Sequence, residues 1–239
     1  FYLAVTGSGA LADLSLAGPV GALAGALLFA GLAVKFGLVP FHMWVPDLFS
    51  GAPLGASLLV AATSKVAVGT ALLRLTSEAP GGPLWGQALA VSGAAAVLLG
   101  NIAALTQSGL LRMLGYSAIA HSGYVALILA TGLSRAGEAV LVYLAGHAIA
   151  ALAALCAAAA AGRDSSIASL RGLLWRRPVI GAGLVFALLS MAGLPPTFGF
   201  LGKAYLFTVL AEADAYGLLA VAALGAGLGF AVYMRFAVE

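Results

Sequence analysis

Residues 181–212 read GAGLVFALLSMAGLPPTFGFLGKAYLFTVLAE. A helix needs about 20 apolar residues to cross the hydrocarbon core of a bilayer, and this run is longer than that. Proline removes a backbone donor and clashes with the preceding turn, so Pro195 and Pro196 predict a broken helix. A break at membrane depth is tolerated only where it lines protein or water, which predicts an all-α, polytopic membrane bundle.

The composition of the whole chain agrees with this interpretation. Of its 239 residues, 63% are hydrophobic and 8% are charged, and the mean hydropathy is +1.10. A soluble domain carries about 25% charged residues, so the predicted solvent is lipid. The net charge of +3 does not indicate nucleic-acid binding, because the basic residues are spread between helices. A single cysteine, Cys156, excludes an internal disulfide.

Apolar runs predict seven spans, with residues 1–6 as the end of an earlier helix. The spans cover residues 19–45, 53–76, 85–107, 109–132, 138–161, 178–211 and 214–236. We therefore expect residues 1–239 to be a single transmembrane domain and an internal fragment of a longer protein.

The first span is interrupted in the same way as the sixth. It contains Pro40 and Pro46 within KFGLVPFHMWVPD (35–47), and it is also longer than a bilayer requires. Two Pro/Gly-interrupted helices at corresponding places indicate inverted repeats, here of five helices, with the transport site on the broken helices.

Arginines sort to one side of the predicted bundle. The loop at residues 162–177 is Arg-rich, and by alternation of the spans Arg112 and Arg235 fall on its side. The opposite side has Arg74 and Arg135 together with acidic residues. Because short cytoplasmic loops carry an excess of Lys and Arg, the 162–177 loop is predicted to be cytoplasmic.

All three lysines of the chain lie inside predicted spans, as Lys35, Lys65 and Lys203. A charge at mid-bilayer costs about 2.5–3.5 kcal/mol on insertion scales, so each is a candidate proton-transfer group. Burial disfavours an ammonium, which lets a lysine load and release a proton near neutrality. For Lys203, the alternative to a proton-transfer role is that its long side chain extends to the membrane interface and places the ammonium there. No acid lies at mid-span, so a buried acid outside the chain is expected to lie against Lys35.

Two histidines add to this set of titratable groups. His121, in YSAIAHSGY, is midway along the fourth span, and His147, in YLAGHAIAA, is inside the fifth. A neutral imidazole accepts on one nitrogen and donates on the other, which suits a proton relay, although a packed histidine bonding a carbonyl is the alternative. His42, in VPFHMW, either caps freed carbonyls or opens a path for proton uptake. No two histidines have metal-ligand spacing, so no metal site is predicted.

Five stretches together resemble the antiporter-like membrane subunits of respiratory complex I. They are KFGLVPFHMWVPDLFSGAP (35–53), AATSKVAV (61–68), LRMLGYSAIAHSGY (111–124), LRGLLWRRP (170–178) and SMAGLPPTFGFLGKAYLF (190–207). HSGYVAL (121–127) and the Ser64–Lys65 pair favour the N type within that family, whereas AGHAIA (145–150) is similar to the L and M types.

The resemblance implies a subunit of fourteen helices, of which this chain covers the end of the sixth through the thirteenth. It implies that Lys35, Lys65 and Lys203 belong to a hydrophilic axis that carries protons, with the acid partner of Lys35 on the fifth helix. It further implies a proton-translocating NADH:quinone oxidoreductase in a bacterial inner membrane, with antiporter-like neighbours and small subunits as partners. FMN, iron–sulfur clusters and quinone are expected in other subunits, with no cofactor and no redox site in this chain.

Other functions remain open from the sequence. A subunit of a multisubunit sodium/proton antiporter or of a membrane-bound hydrogenase would share these motifs, and the partner subunits would decide. A non-conducting scaffold subunit is a rival of a different class. Buried lysines argue against a scaffold, because each has an insertion cost and a scaffold gains nothing from it.

Overall fold

The computed structural model describes residues 18–78, 82–161 and 166–238, so the predicted helix end at residues 1–6 lies outside the described residues. The described chain is helical, and a π-helical turn, Leu59–Ser64, joins the third and fourth helices. The helices are α1 (Gly18–Phe36), α2 (Trp44–Gly51), α3 (Leu54–Leu58), α4 (Lys65–Glu78), α5 (Gly82–Leu105), α6 (Leu110–Ala130), α7 (Ala136–Ala161), α8 (Ile167–Leu170), α9 (Leu173–Arg176), α10 (Pro178–Ala192), α11 (Phe198–Glu212) and α12 (Tyr216–Ala237).

Six helical segments of the described chain are long and apolar enough to cross a membrane, or seven if a bent pair at Ala168–Arg176 and Pro178–Ala192 is counted as one span. Helices α10 and α11 have 15 residues each. Each is therefore about 22 Å long, which is shorter than the hydrocarbon core. The prediction of an all-α, polytopic membrane protein is confirmed, and the break between α10 and α11 falls at the predicted prolines.

Helix α6 lies at the centre of the bundle and is buried over nearly its whole length. Glycines let it approach α5 closely: a Cβ added to Gly123 would lie 2.6 Å from the Gly93 carbonyl oxygen. One added to Gly100 would lie 2.7 Å from the Ala120 nitrogen. Small residues permit such packing between helices in lipid. The arrangement places the polar residues in the middle of α6 at the core of the bundle.

The two broken spans are interrupted by the same local structure. Helix α1 is followed by Gly37 at φ +75° and α10 by Gly193 at φ +83°, the left-handed conformation that ends many helices. In each case the next amide reaches back five residues. These bonds are Leu38 N to Ala33 O (2.9 Å) and Leu194 N to Leu189 O (3.1 Å). Each break also contains a cis peptide, at Val39–Pro40 and at Pro195–Pro196.

Pro46 has a different role from the one that the sequence suggested. The chain is interrupted between α1 and α2, around Pro40, whereas Pro46 lies buried in the first turn of α2. The amides of a first turn have no partner within the helix, so a proline there removes no hydrogen bond. Of the two prolines in the first span, Pro40 marks the break and Pro46 lies in the following helix.

Arg235 and Arg135 lie at opposite ends of the bundle. At one end Arg235 of α12 donates to the carbonyl oxygen of Gln107, next to an isolated bridge between Gly109 and Ser166. At the other end Arg135 pairs with Glu212 at 2.7 Å.

Candidate functional site

Lys65 begins α4 and is buried, with 4% of its surface exposed. Its Nζ donates to the Ala118 carbonyl oxygen at 2.6 Å and to that of Phe36 at 3.4 Å. It also contacts the Ser122 hydroxyl. All of these partners are neutral oxygens, so the ammonium is solvated by dipoles rather than by a carboxylate.

The carbonyl of Phe36 is available because α1 ends there. The last carbonyls of a helix have no intrahelical donor and carry partial negative charge, which favours a cation. Ser122 also donates to this oxygen, at 2.7 Å. Lys65 and Ser122 thus cap the C-terminus of the first half-helix from two other helices.

A π-helical turn, Leu59–Ser64, comes immediately before Lys65. Such turns are rare and are frequent at functional sites. No residue in LVAATS signals it, since the segment contains neither proline nor glycine. The turn changes the angular position of Lys65 relative to the preceding residues of the same span.

Lys203 occupies an equivalent place at the second break and is also buried, with 6% exposed. Its Nζ donates to the carbonyl oxygen of Ala192, the last residue of α10, at 2.6 Å. A Cβ added to Gly193 would lie 2.5 Å from Lys203 Cδ, so the lysine stem crosses the glycine. Gly193 is therefore needed both for its backbone angle and for its lack of a side chain.

Two buried histidines on α6 and α7 stack on each other. The ring centroids of His121 and His147 are 4.2 Å apart, with 23° between the planes. The Tyr143 hydroxyl lies 2.8 Å from His121 Nδ1, and the Tyr233 hydroxyl lies 3.0 Å from His121 Nε2. Within the described chain, neither ring nitrogen of His147 has a hydrogen-bond partner.

A small cavity adjoins the histidine pair. Its volume is about 10 Å³, and it is lined by both histidines, Tyr143 and Ser190. That volume is close to what one water molecule needs, and the lining supplies polar partners for it. The cavity extends the polar region from the histidines toward the second break.

Lys65, Lys203, His121 and His147 form one electrostatic cluster. His121 interacts with the charges of His147, Lys203 and Lys65, and His147 interacts with that of Lys65. Four residues singled out in the sequence are thereby brought together at the core of the bundle. A proton loaded on any of them changes the electrostatic energy of a proton on the others.

The remaining candidates lie apart from this cluster. Lys35 is one residue from the end of α1, but its side chain is exposed and no described acid contacts it. His42 is half-buried between α1 and α2, and its Nδ1 has no partner among the described residues. Pro40, Pro195 and Pro196 lie in the two breaks. The described residues include no group of three His, Cys, Asp or Glu that could hold a metal.

The sequence interpretation missed two residues that the structure places at the site, Tyr143 and Tyr233. Tyr143 and Tyr233 bind the two ring nitrogens of His121, and Ser117 lies 2.5 Å from the Tyr233 hydroxyl. Tyr233 is 112 residues from His121 along the chain, so no local pattern connects them. The one available signal is that a buried tyrosine hydroxyl needs a partner.

The chain matches known proteins over nearly its whole length. The family model described as "NADH:quinone oxidoreductase/Mrp antiporter, TM" matches residues 4–229. NADH-quinone oxidoreductase subunit N of Rhodopseudomonas palustris (strain BisA53) is 54% identical over 92% of this chain and 48% of its own length. The chain thus spans about half the length of that relative.

Solved structures share the fold. A chain of respiratory complex I from Thermus thermophilus with bound aureothin is 36% identical and superposes with a TM-score of 0.86, over 99% of this chain and 53% of that one. A chain of the Mrp complex from Dietzia sp. DQ12-45-1b has a TM-score of 0.87 over 98% of this chain and 45% of that one. At 22% identity, this second likeness shows the fold alone. The family match and the identity to subunit N show that the chain belongs to the family of membrane subunits of NADH:quinone oxidoreductases and Mrp antiporters.

Proposed function

We propose that this chain is part of a proton-translocating N-type membrane subunit of a bacterial NADH:quinone oxidoreductase. One observation carries the proposal: Lys65 and Lys203 are buried at equivalent positions of two helix breaks, and among the described residues their ammonium groups donate hydrogen bonds to neutral oxygens alone. The stacked pair of His121 and His147 interacts electrostatically with both.

The neutral environment of the lysines suits proton transfer. A carboxylate would fix each ammonium in its charged form, whereas helix carbonyls offer only partial charges. The charged form is therefore stabilised enough to exist in the bundle and not enough to be permanent. Such a group gains and loses a proton in response to a change in a neighbouring charge.

A path follows from the order of these groups. Protons pass between Lys65 and Lys203 through the imidazoles, since a neutral imidazole accepts on one nitrogen and donates on the other. The polar cavity beside His147 and Ser190 offers room for a bridging water on the Lys203 side. Lys35 would join this axis through an acid outside the described chain, and His42 would serve proton uptake at the first break.

The partners and cofactors of the proposed complex lie outside this chain. FMN, iron–sulfur clusters and quinone belong to other subunits, and antiporter-like and small membrane subunits pack against the bundle. Redox energy reaches this subunit as a change in the charge or position of groups near the lysines. The loop at residues 162–177 faces the cytoplasm, as its arginines favour.

Replacing Lys65 tests the proposal in the full-length protein, assembled in its native complex in inverted membrane vesicles. Lys65→Met removes the proton-binding group and keeps an apolar stem of similar length. NADH-driven acidification of the vesicle lumen, followed with a pH-sensitive dye, is expected to be lost while the complex still assembles. Lys65→Arg is the matched control for charge: it keeps a cation that does not deprotonate, so acidification is lost there too.

Normal acidification in Lys65→Met vesicles would refute the proton-transfer role. If Lys65→Arg acidified the vesicles normally while Lys65→Met did not, the positive charge at this position would have a structural role instead. Repeating the assay in sodium-free medium separates the antiporter alternative, which predicts that transport stops without sodium. Lys203→Met should behave as Lys65→Met does, because both lysines occupy equivalent sites.

A further inference from the structure

Four side chains form a single file of hydrogen bonds through His121. The Ser117 hydroxyl contacts that of Tyr233 at 2.5 Å, and the Tyr233 hydroxyl lies 3.0 Å from His121 Nε2. His121 Nδ1 lies 2.8 Å from the Tyr143 hydroxyl. Among the described residues, Ser117 and Tyr143 make no other side-chain hydrogen bond, so they are the two ends of the file.

We infer that Ser117, Tyr233, His121 and Tyr143 form a proton relay between one end of the bundle and the histidine pair. The inference rests on the proposed function and adds three residues to it. Ser117 lies seven residues after the start of α6, about 10 Å along the helix, on the side of Arg112 and Arg235. Tyr143 lines the cavity that it shares with His147.

Counting hydrogens shows how the file would conduct. The neutral groups carry four exchangeable hydrogens, one each on Ser117, Tyr233, His121 and Tyr143. Three of them occupy the three hydrogen bonds, and the fourth points outward at one end. Two orderings are therefore possible, with the outward hydrogen either on Ser117 or on Tyr143.

A proton that enters at one end converts one ordering into the other. If Tyr143 receives it, Tyr143 passes its own hydrogen to Nδ1, Nε2–H passes to Tyr233, and Tyr233 passes its hydrogen to Ser117. Ser117 then releases its original hydrogen to a water molecule on the side of Arg112, so one proton enters, one leaves, and every group of the file ends neutral. Rotation of the hydroxyls and of the imidazole restores the first ordering.

The burial of these hydroxyl groups favours concerted transfer along the file over a route in which one of the groups becomes ionised. Ser117, Tyr233 and Tyr143 are all buried, and a separated charge in such surroundings is costly. Hydrogen-bonded chains in a low dielectric also polarise one another, which strengthens each bond. His147 is stacked on His121 and lines the same small cavity as Tyr143, and neither of its ring nitrogens has a hydrogen-bond partner among the described residues.

Single hydroxyl deletions test the relay in the full-length protein within its complex. Tyr233→Phe and Tyr143→Phe keep both rings. The first removes two of the three bonds of the file and the second removes one. We expect acidification of inverted vesicles to slow by about 100-fold or more, the lower end of what one positioned proton-transfer group contributes, with an altered pH profile. Tyr124→Phe is the matched control, since Tyr124 is buried beside His121 but lies outside the file; within the described part of the chain its hydroxyl accepts one long hydrogen bond, from the Asn101 amide at 3.5 Å.

The outcomes separate the relay from the proposed function. If Tyr233→Phe and Tyr143→Phe acidify as fast as Tyr124→Phe while Lys65→Met does not acidify, the relay is overturned and the proposed function stands. If Lys65→Met also acidifies normally, the proposed function itself fails. Should either tyrosine variant not assemble, Ser117 decides: Ser117→Thr keeps the hydroxyl and should conduct, whereas Ser117→Ala should not, and equal rates would overturn the relay.

Discussion

At both helix breaks a buried ammonium group binds the end of a half-helix, but the lysine that supplies it comes from a different part of the chain in each case. At each, a left-handed glycine ends a half-helix and a buried ammonium binds its last carbonyl. At the first break the ammonium comes from Lys65, 29 residues away on another helix, with Ser122 as a second donor. At the second break it comes from Lys203, 11 residues away in the same span. The first site depends on the assembly of three helices, whereas the second is built within one interrupted span.

Backbone contacts sharpen this difference. A Cβ added to Gly199 would lie 1.7 Å from the carbonyl oxygen of Ser190, so α11 begins directly against the end of α10. At the first break, the Cβ of an alanine at Gly37 would meet a side-chain atom, Val45 Cγ2, at 2.8 Å. The second break is therefore held by close contact with backbone, and the first by hydrogen bonds between helices.

The largest effect is expected from Gly199→Ala. The added methyl collides with a backbone oxygen, and a shift of α11 relative to α10 is the only relief. Overpacking of this kind costs about 1–3 kcal/mol or more, so assembled subunit should fall sharply. Immunoblots of assembled complex, before and after mild heating of the membranes, measure it.

Gly183→Ala is the control for Gly199→Ala, because it adds a methyl to α10 in the same span with nothing within 4 Å. It should assemble as wild type does, since alanine favours a helix over glycine. If Gly199→Ala assembled as well as Gly183→Ala, the second break would be able to adapt to an added methyl group. The close backbone contact would then not make it more rigid than the first break.

Smaller effects, which differ between the two breaks, are expected from alanine at the two left-handed glycines. Gly37→Ala and Gly193→Ala each incur about 1–2 kcal/mol of backbone strain, so both should lower thermal stability. Gly193→Ala additionally pushes against Lys203 Cδ at 2.5 Å, so it should also slow vesicle acidification. Gly172→Ala, at φ +67° with nothing within 4 Å, measures the strain alone. Unimpaired acidification in Gly193→Ala would show that the position of the Lys203 stem does not matter.

The sequence predicts much of the fold because the membrane limits what a chain can form. Spans follow from runs of about 20 apolar residues, and the breaks follow from proline, which cannot donate a hydrogen bond. The sequence did not distinguish Pro40, which lies in a break, from Pro46, which lies in the first turn of a helix. Both prolines interrupt the same apolar run, so the sequence pattern is the same for each. Only the structure shows that the helix axis changes at Pro40 and not at Pro46.

The site was harder to predict than the fold. Lys65, Lys203 and the histidines are conspicuous because charge and polarity are rare in this chain. Their partners are carbonyls and tyrosines brought in by helix rotation, and helices that are apolar on every side give no periodicity from which the inward face is read. Lys35 illustrates the limit: it sits beside the break as expected, yet its side chain is exposed in the described chain.

The smallest effect is expected from removing one serine hydroxyl at each break. The Ser122 hydroxyl lies 2.7 Å from the Phe36 carbonyl oxygen and 3.0 Å from that of Ala118, and it contacts Lys65, so Ser122→Ala removes three interactions at the first site. Ser190 accepts one long bond from the Gly199 amide, at 3.3 Å, at the second. A net hydrogen bond contributes about 1 kcal/mol, so Ser122→Ala should slow acidification severalfold and Ser190→Ala less.

The ranking of these two serines tests what holds each ammonium in place. In Ser122→Ala, Lys65 keeps its bond to the Ala118 carbonyl oxygen at 2.6 Å. The Phe36 carbonyl oxygen then has Lys65 as its one side-chain donor among the described residues, at a distance of 3.4 Å. Lys203 keeps its 2.6 Å bond to Ala192 whether or not Ser190 carries a hydroxyl. Acidification rates in vesicles with matched amounts of complex give the order. A larger loss in Ser190→Ala would place the hydroxyl-dependent step at the second break, because the cavity beside His147 would then matter more than the capping of α1.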